Sequence, residues 1–172
     1  MAIGSLKDIY LAELSALYEA ELEVARVLPR LAEAAYDAAL RLALARQAEE
    51  SRMHRERLDL IFTHWGERHG SRRCAGLTGI VQEAYERVHE AQTVEARDAA
   101  ILAAAQQIQH YEIAAYASAR THARRLSRTD EARLLQETLN EEWRADRLYE
   151  AIAGAELPGP AALPAADVGL ET

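Results

Sequence analysis

Apolar positions recur along this chain at alternating three- and four-residue steps in four long stretches and one short one, the repeat of helices that bury one face. The first stretch reads Tyr10, Leu14, Leu17, Glu21, Val24, Leu28, Leu31. Ser5 and Asp8 form a capping box at its start, the helix is expected to run to near Tyr36, and Pro29 predicts a kink in the turn before it. A second helix, capped by Asp37 and stopped by Gly66, carries Leu40, Ala43, Gln47, Glu50, His54, Leu58, Ile61 and Trp65. The segment from Glu67 to Cys74 reads as a loop. A shorter amphipathic helix follows from Leu77 to about His89, with Ile80, Val81, Ala84 and Val88 on one face.

The third long helix, Val94 to about Leu126, presents Ile101, Ala105, Ile108, Glu112, Ala115 and Ala119. After a turn over Ser127–Asp130, with Thr129 as candidate cap, the fourth presents Leu135, Thr138, Glu142, Asp146, Tyr149 and Ile152 and stops at Gly154. The expected fold is therefore all-α: an antiparallel four-helix bundle over residues 1–154, with a short extra helix between the second and third long helices. Residues 155–172, rich in proline and alanine, read as a flexible tail.

Composition narrows the function. With 172 residues, 49 % of them hydrophobic, the chain suits one domain with a sizeable core. A net charge of -8, with arginines scattered among acids, argues against a nucleic-acid partner; Arg72-Arg73 and Arg124-Arg125 read as solvated helix ends. No apolar run approaches the roughly 20 residues of a membrane span, and the charged opening segment is not that of a signal peptide. The single cysteine, Cys74, excludes an internal disulfide and fits a reducing cytoplasm.

The chemistry lies where charge interrupts the apolar seams. Glu21 and Glu112 each stand alone in an otherwise apolar stripe, while Glu50 and Glu142 are each followed four residues later, on the same face, by His54 and Asp146. Glu21 and Glu50 are 29 residues apart and Glu112 and Glu142 are 30 apart, so antiparallel packing of each hairpin brings its pair to one height. Four carboxylates buried together repel one another and lose hydration. Two bound metal ions would offset this, and oxygen ligands with one imidazole suit iron or manganese.

The expected ligands are thus Glu21, Glu50, His54, Glu112, Glu142 and Asp146. Glu50 and Glu142 would bridge, Glu21 and Glu112 would bind at the ends, and His54 and Asp146 would complete the shells, with oxygen or peroxide as reactant. Tyr18, Tyr111 and Tyr116 lie near this level as packing or redox groups. Cys74, His64, His69, His89 and His122 read as structural or surface residues. Storage without turnover, and a structural role in which buried acids pair with arginines such as Arg26 and Arg147, are the alternatives.

Several segments resemble the small bacterial ferritin-like proteins of the YciE/YciF type, which are linked to stress responses. They are Leu6-Lys-Asp-Ile-Tyr, Glu13 to Glu21, Arg97 to Gln106, His110-Tyr-Glu-Ile-Ala-Ala-Tyr116, Leu135 to Glu142, and Cys74-Ala-Gly-Leu-Thr-Gly-Ile. Across about residues 5–153 the resemblance implies a ferritin-like fold, a homodimer, and a two-metal centre using Glu21, Glu50, Glu112 and Glu142 with Asp146 alongside. It also marks two departures: Gln47 stands where the family implies a histidine, and Gln109 where it implies a glutamate. His54, at a glutamine position of the family, would compensate.

Overall fold

The computed structural model describes residues 3–70 and 74–155, which form five helices and no strand. These are α1 (Leu6–Ala34), α2 (Ala38–Trp65), α3 (Ala75–Glu90), α4 (Val94–Arg125) and α5 (Thr129–Ala153). The tail from residue 156 onward and the Arg72-Arg73 pair lie outside the described residues.

Local chemistry sets the helix ends. The Ser5 hydroxyl accepts from the Asp8 amide at 3.2 Å, and the Asp8 carboxylate accepts from the Gly4 amide at 3.0 Å, closing the expected capping box one residue further out. Asp37 caps α2 through the Leu40 amide at 2.7 Å. Gly66 ends α2 at φ 63°, a left-handed conformation that glycine adopts without Cβ strain. Two expectations shift. Helix α1 stops at Ala34 rather than near Tyr36, and Thr129 is the first residue of α5, with Arg128 in the capping position and no side-chain cap.

Helix α1 pairs with α2 and α4 with α5, the two hairpins face each other through α1–α4 and α2–α5, and α3 lies on α4. The apolar core divides in two. One half is built around Val24, Leu28, Leu44, Leu77, Ile101 and Ile108, the other around Tyr10, Leu14, Leu58, Ile61, Tyr116 and Leu135. Between them, on every long helix, lies a layer of buried polar residues: Glu21, Ser51, His54, Gln109, Glu112, Glu142 and Asp146.

Each end of the bundle is clamped by a buried carboxylate whose oxygens are hydrogen-bonded. At one end Asp98 of α4, fully buried, accepts from the Tyr36 amide at 2.8 Å and the Asp37 amide at 2.7 Å. This holds the α1–α2 turn extended and explains why α1 ends early. At the other end Glu131 accepts from the Tyr10 hydroxyl at 2.9 Å, the Trp65 indole at 3.0 Å and Arg128 Nε at 2.7 Å. Hydrogen bonds to a charged acceptor contribute about 1.5–3 kcal/mol each, so losing both in Asp98→Ala is expected to destabilise the fold by about 3–6 kcal/mol in urea unfolding, and Asp98→Asn, which keeps one acceptor, by about half of that. A loss below about 0.5 kcal/mol for Asp98→Ala would show that the turn holds itself.

Candidate metal centre

The polar layer is organised by His54. Its Nδ1 lies 3.0 Å from Glu21 Oε1 and 3.1 Å from Glu142 Oε1, so one N–H is shared between carboxylates of α1 and α5. Its Nε2 lies 3.0 Å from Glu141 Oε2, and Glu141 also accepts from both terminal nitrogens of Arg57, one at 2.9 Å. Burial alone would lower the imidazole pKa; the three carboxylates outweigh it and push it up to about 12. His54 is thus an imidazolium at neutral pH, the cation at the centre of the layer. At Glu141 burial opposes ionisation, but the bonds from His54 and Arg57 prevail and bring its carboxyl down to about 2.

The acids inside the layer behave oppositely. Glu112 is held well above the usual carboxylate range, first by burial and then by the charges of Glu21 and Glu142. Burial also lifts Glu142, against the pull of His54. The Tyr116 hydroxyl donates to Glu21 Oε1 at 2.6 Å, and its own ionisation is suppressed by burial and by Glu21. On the far side a chain of donors runs inward. Tyr149 donates to Gln47 Oε1 at 2.6 Å, Gln47 Nε2 to Gln109 Oε1 at 2.6 Å, and Gln109 Nε2 to Glu142.

Of the six residues expected from the sequence, the structure brings Glu21, His54 and Glu142 together, each with a ligand atom within 4.8 Å of the other two. Glu112 lies in the same layer, close enough to feel the charges of both glutamates. Glu50 and Asp146 contribute no atom to the group: Glu50 bonds Arg46 Nε at 3.0 Å, and Asp146 bonds Nε2 of the exposed His110 at 2.8 Å. Helix geometry accounts for Glu50. At about 100° per residue, positions 50 and 51 flank the Gln47–His54 line on opposite sides at similar angles. Ser51 is the one turned inward, 1 % exposed, while Glu50 sits at the margin of the α2–α5 groove.

Sequence periodicity overlooked Glu141, His110 and Arg57. Glu141 is the chain neighbour of Glu142, His110 follows the buried Gln109, and Arg57 lies one turn beyond His54, a level that helical spacing could have flagged. Away from the layer, His122 Nδ1 meets Glu13 at 2.7 Å, His69 stacks on Tyr18 at 3.8 Å between ring centres, and Cys74 Sγ lies 2.9 Å from the Tyr111 hydroxyl.

The donor set fits a hard or borderline cation on one observation. Both oxygens of Glu112 and Oε2 of Glu21 are buried without a hydrogen-bond partner, and they are the only carboxylate oxygens so placed among the described residues. Stranding such atoms is costly, and Asp98 and Glu131 show that this fold can satisfy a buried acid elsewhere. Oxygen donors with one imidazole and no thiolate suit iron or manganese better than structural zinc.

A family model described as a domain of unknown function (DUF892) matches residues 5–159. Protein YciF of Escherichia coli K12 is 35 % identical over 147 residues, which span 85 % of this chain and 89 % of that protein. Among solved structures, the E. coli stress protein YciF superposes with a TM-score of 0.84 at 34 % identity, covering 88 % of this chain and 96 % of that one. YcfI of Rhodopseudomonas palustris, described provisionally as a structural protein, gives the same TM-score and identity over 86 % of this chain and 94 % of its own.

Proposed function

The chain belongs to the DUF892 family, with a stress protein as a relative, and from that premise we propose that it is a ferritin-like metal–carboxylate protein of the stress response. The observation that supports this reading is the buried layer, where Glu21, His54 and Glu142 converge beside the stranded oxygens of Glu112. Glu21, His54 and Glu142 would hold one ion. A second ion, expected from the sequence, would draw on Glu112 and Glu142. Iron or manganese bound there supplies one-electron chemistry toward oxygen or peroxide.

The protein's own groups prepare the site. His54 holds a proton at Nδ1 between Glu21 and Glu142, and release of that proton frees Nδ1 as a ligand. The Nε2 proton stays directed at Glu141, which Arg57 fixes in turn, so the ring keeps its orientation through the exchange. The tight bond from Tyr116 orients Glu21. The two apolar halves of the core keep bulk water from the layer. A cytoplasmic homodimer is the assembly this proposal carries; among the described residues no helix is long and apolar enough to cross a membrane.

The test is titration of the chelator-treated chain with manganese(II) or iron(II). Glu21→Ala and Glu142→Ala should each abolish binding of at least one ion per chain; unchanged stoichiometry in both would remove the ligand assignment. Consumption of iron(II) or peroxide by the loaded chain, lost in the same variants, separates turnover from storage. A second reading is favoured by the pairing of His54 with three carboxylates: a non-catalytic helical structural protein whose layer is neutralised by the imidazolium. In that case no titration would saturate.

A further inference from the structure

We propose that the cavity between α2 and α5 is the route by which a divalent cation reaches the buried carboxylates, with the Arg46–Glu50 ion pair as its gate. The proposal rests on the metal-centre reading above. The cavity has a volume of about 200 Å³, and its wall includes Arg46, Gln47, Glu50, Arg144, Leu148 and Tyr149. Gln47 and Tyr149, 2 % and 1 % exposed, are buried deep in that wall and hydrogen-bonded to each other. From Gln47 the amide chain leads through Gln109 to Glu142.

A cation entering here meets oxygen at successive steps: the Glu50 carboxylate, the Gln47 carbonyl and Tyr149 hydroxyl, the Gln109 carbonyl, and then Glu142. Carboxylate and amide oxygens are the donors hard cations accept. The alternative directions along the bundle axis lead into the two apolar halves of the core.

The gate follows from helix geometry. Arg46 and Glu50 are one turn apart on α2, with Gln47 beside Arg46 turned inward, so the pair lies over the cavity mouth. Arg46 is 62 % exposed at its side chain and Glu50 16 %. One-turn pairs open to water are among the weakest ion pairs, so a divalent ion can displace the guanidinium from Glu50. This gives a role to the one glutamate of the second seam that supplies no atom to the buried group.

The test compares rates with endpoints. Chelator-treated full-length chain is mixed with manganese(II), and the free-ion electron paramagnetic resonance signal is followed over time. Removing the attracting charge in Glu50→Gln should slow uptake about threefold or more, and removing its competitor in Arg46→Gln should speed it by a similar factor. Both should reach the stoichiometry of the unaltered chain. Glu83→Gln, which breaks the same kind of pair with Arg87 on α3, should change nothing. A lowered endpoint in Glu50→Gln would make Glu50 a ligand and overturn the gate. Rates indistinguishable among all four proteins would place the route elsewhere. No uptake by the unaltered chain would remove the metal-centre reading and the gate with it.

Discussion

Replacing His54 with alanine is expected to cost the metal-free protein about 3–5 kcal/mol at pH 7, the usual consequence of deleting one partner from a buried charge group. The imidazolium, 1 % exposed, is the cation that Glu21 and Glu142 touch, and Glu112 beside them has no hydrogen-bond partner. Without it, the layer holds repelling carboxylates that must take up protons or admit water. Set against a typical total stability of about 5–15 kcal/mol, that loss lowers the melting temperature by roughly 6–20 °C for a chain of this size. The loss should shrink at pH 5, where protonated acids no longer need the counter-charge. Thermal and urea unfolding of chelator-treated protein read both effects. A loss below about 1 kcal/mol at pH 7 would mean that the layer is neutral without His54.

Stability of the metal-free chain should peak in mild acid and fall as pH rises. His54 has a folded pKa of about 12 against an ordinary value of 6.5, so its contribution is complete below 6.5 and is lost progressively above it. Glu112 acts in the same direction. Its pKa is raised, so the folded state keeps a proton that the unfolded chain gives up above the ordinary value of 4.5, and stability falls through that range. Glu141 acts oppositely: brought down to about 2, it stabilises above 4.5 and that contribution fades in stronger acid. One proton of difference changes stability by about 1.4 kcal/mol per pH unit, so His54 alone predicts a loss of about 2–3 kcal/mol between pH 7 and 9. Urea unfolding at pH 5.5, 7 and 8.5 checks the slope. A flat profile would contradict the buried imidazolium, and saturation with metal should flatten the slope by replacing the proton as counter-charge.

The helices, their order and the depth of the polar layer were legible in the sequence because each rests on spacing alone. Ser5, Asp37 and Gly66 mark ends through short-range chemistry, and intervals of 29 and 30 residues set Glu21 against Glu50 and Glu112 against Glu142 in height. Rotation about the helix axis was less legible. Positions 50 and 51 lie at similar angles on opposite sides of the Gln47–His54 line of α2, and only packing against α5 decides that Ser51 enters the layer while Glu50 stays at the groove. Partners that depend on side-chain reach rather than on seam position were hidden for the same reason. Glu141 sits about 100° around the helix from Glu142, and it meets His54 because Arg57 and the imidazole both extend toward it. The early end of α1 required Asp98, 62 residues along the chain from Tyr36, and local pattern carries no trace of that contact.

We propose that the polar layer is built around metal as well as around a proton. Elemental analysis by mass spectrometry of the purified chain, after loading with iron(II) or manganese(II) and removal of free metal, tests it most directly. The unaltered protein is expected to hold at least one tightly bound ion per chain, lost in Glu21→Ala and in Glu142→Ala while circular dichroism shows the helices retained. A folded, unaltered chain that retains only a small fraction of one ion would contradict it, and would leave the layer a charge network closed by His54 alone.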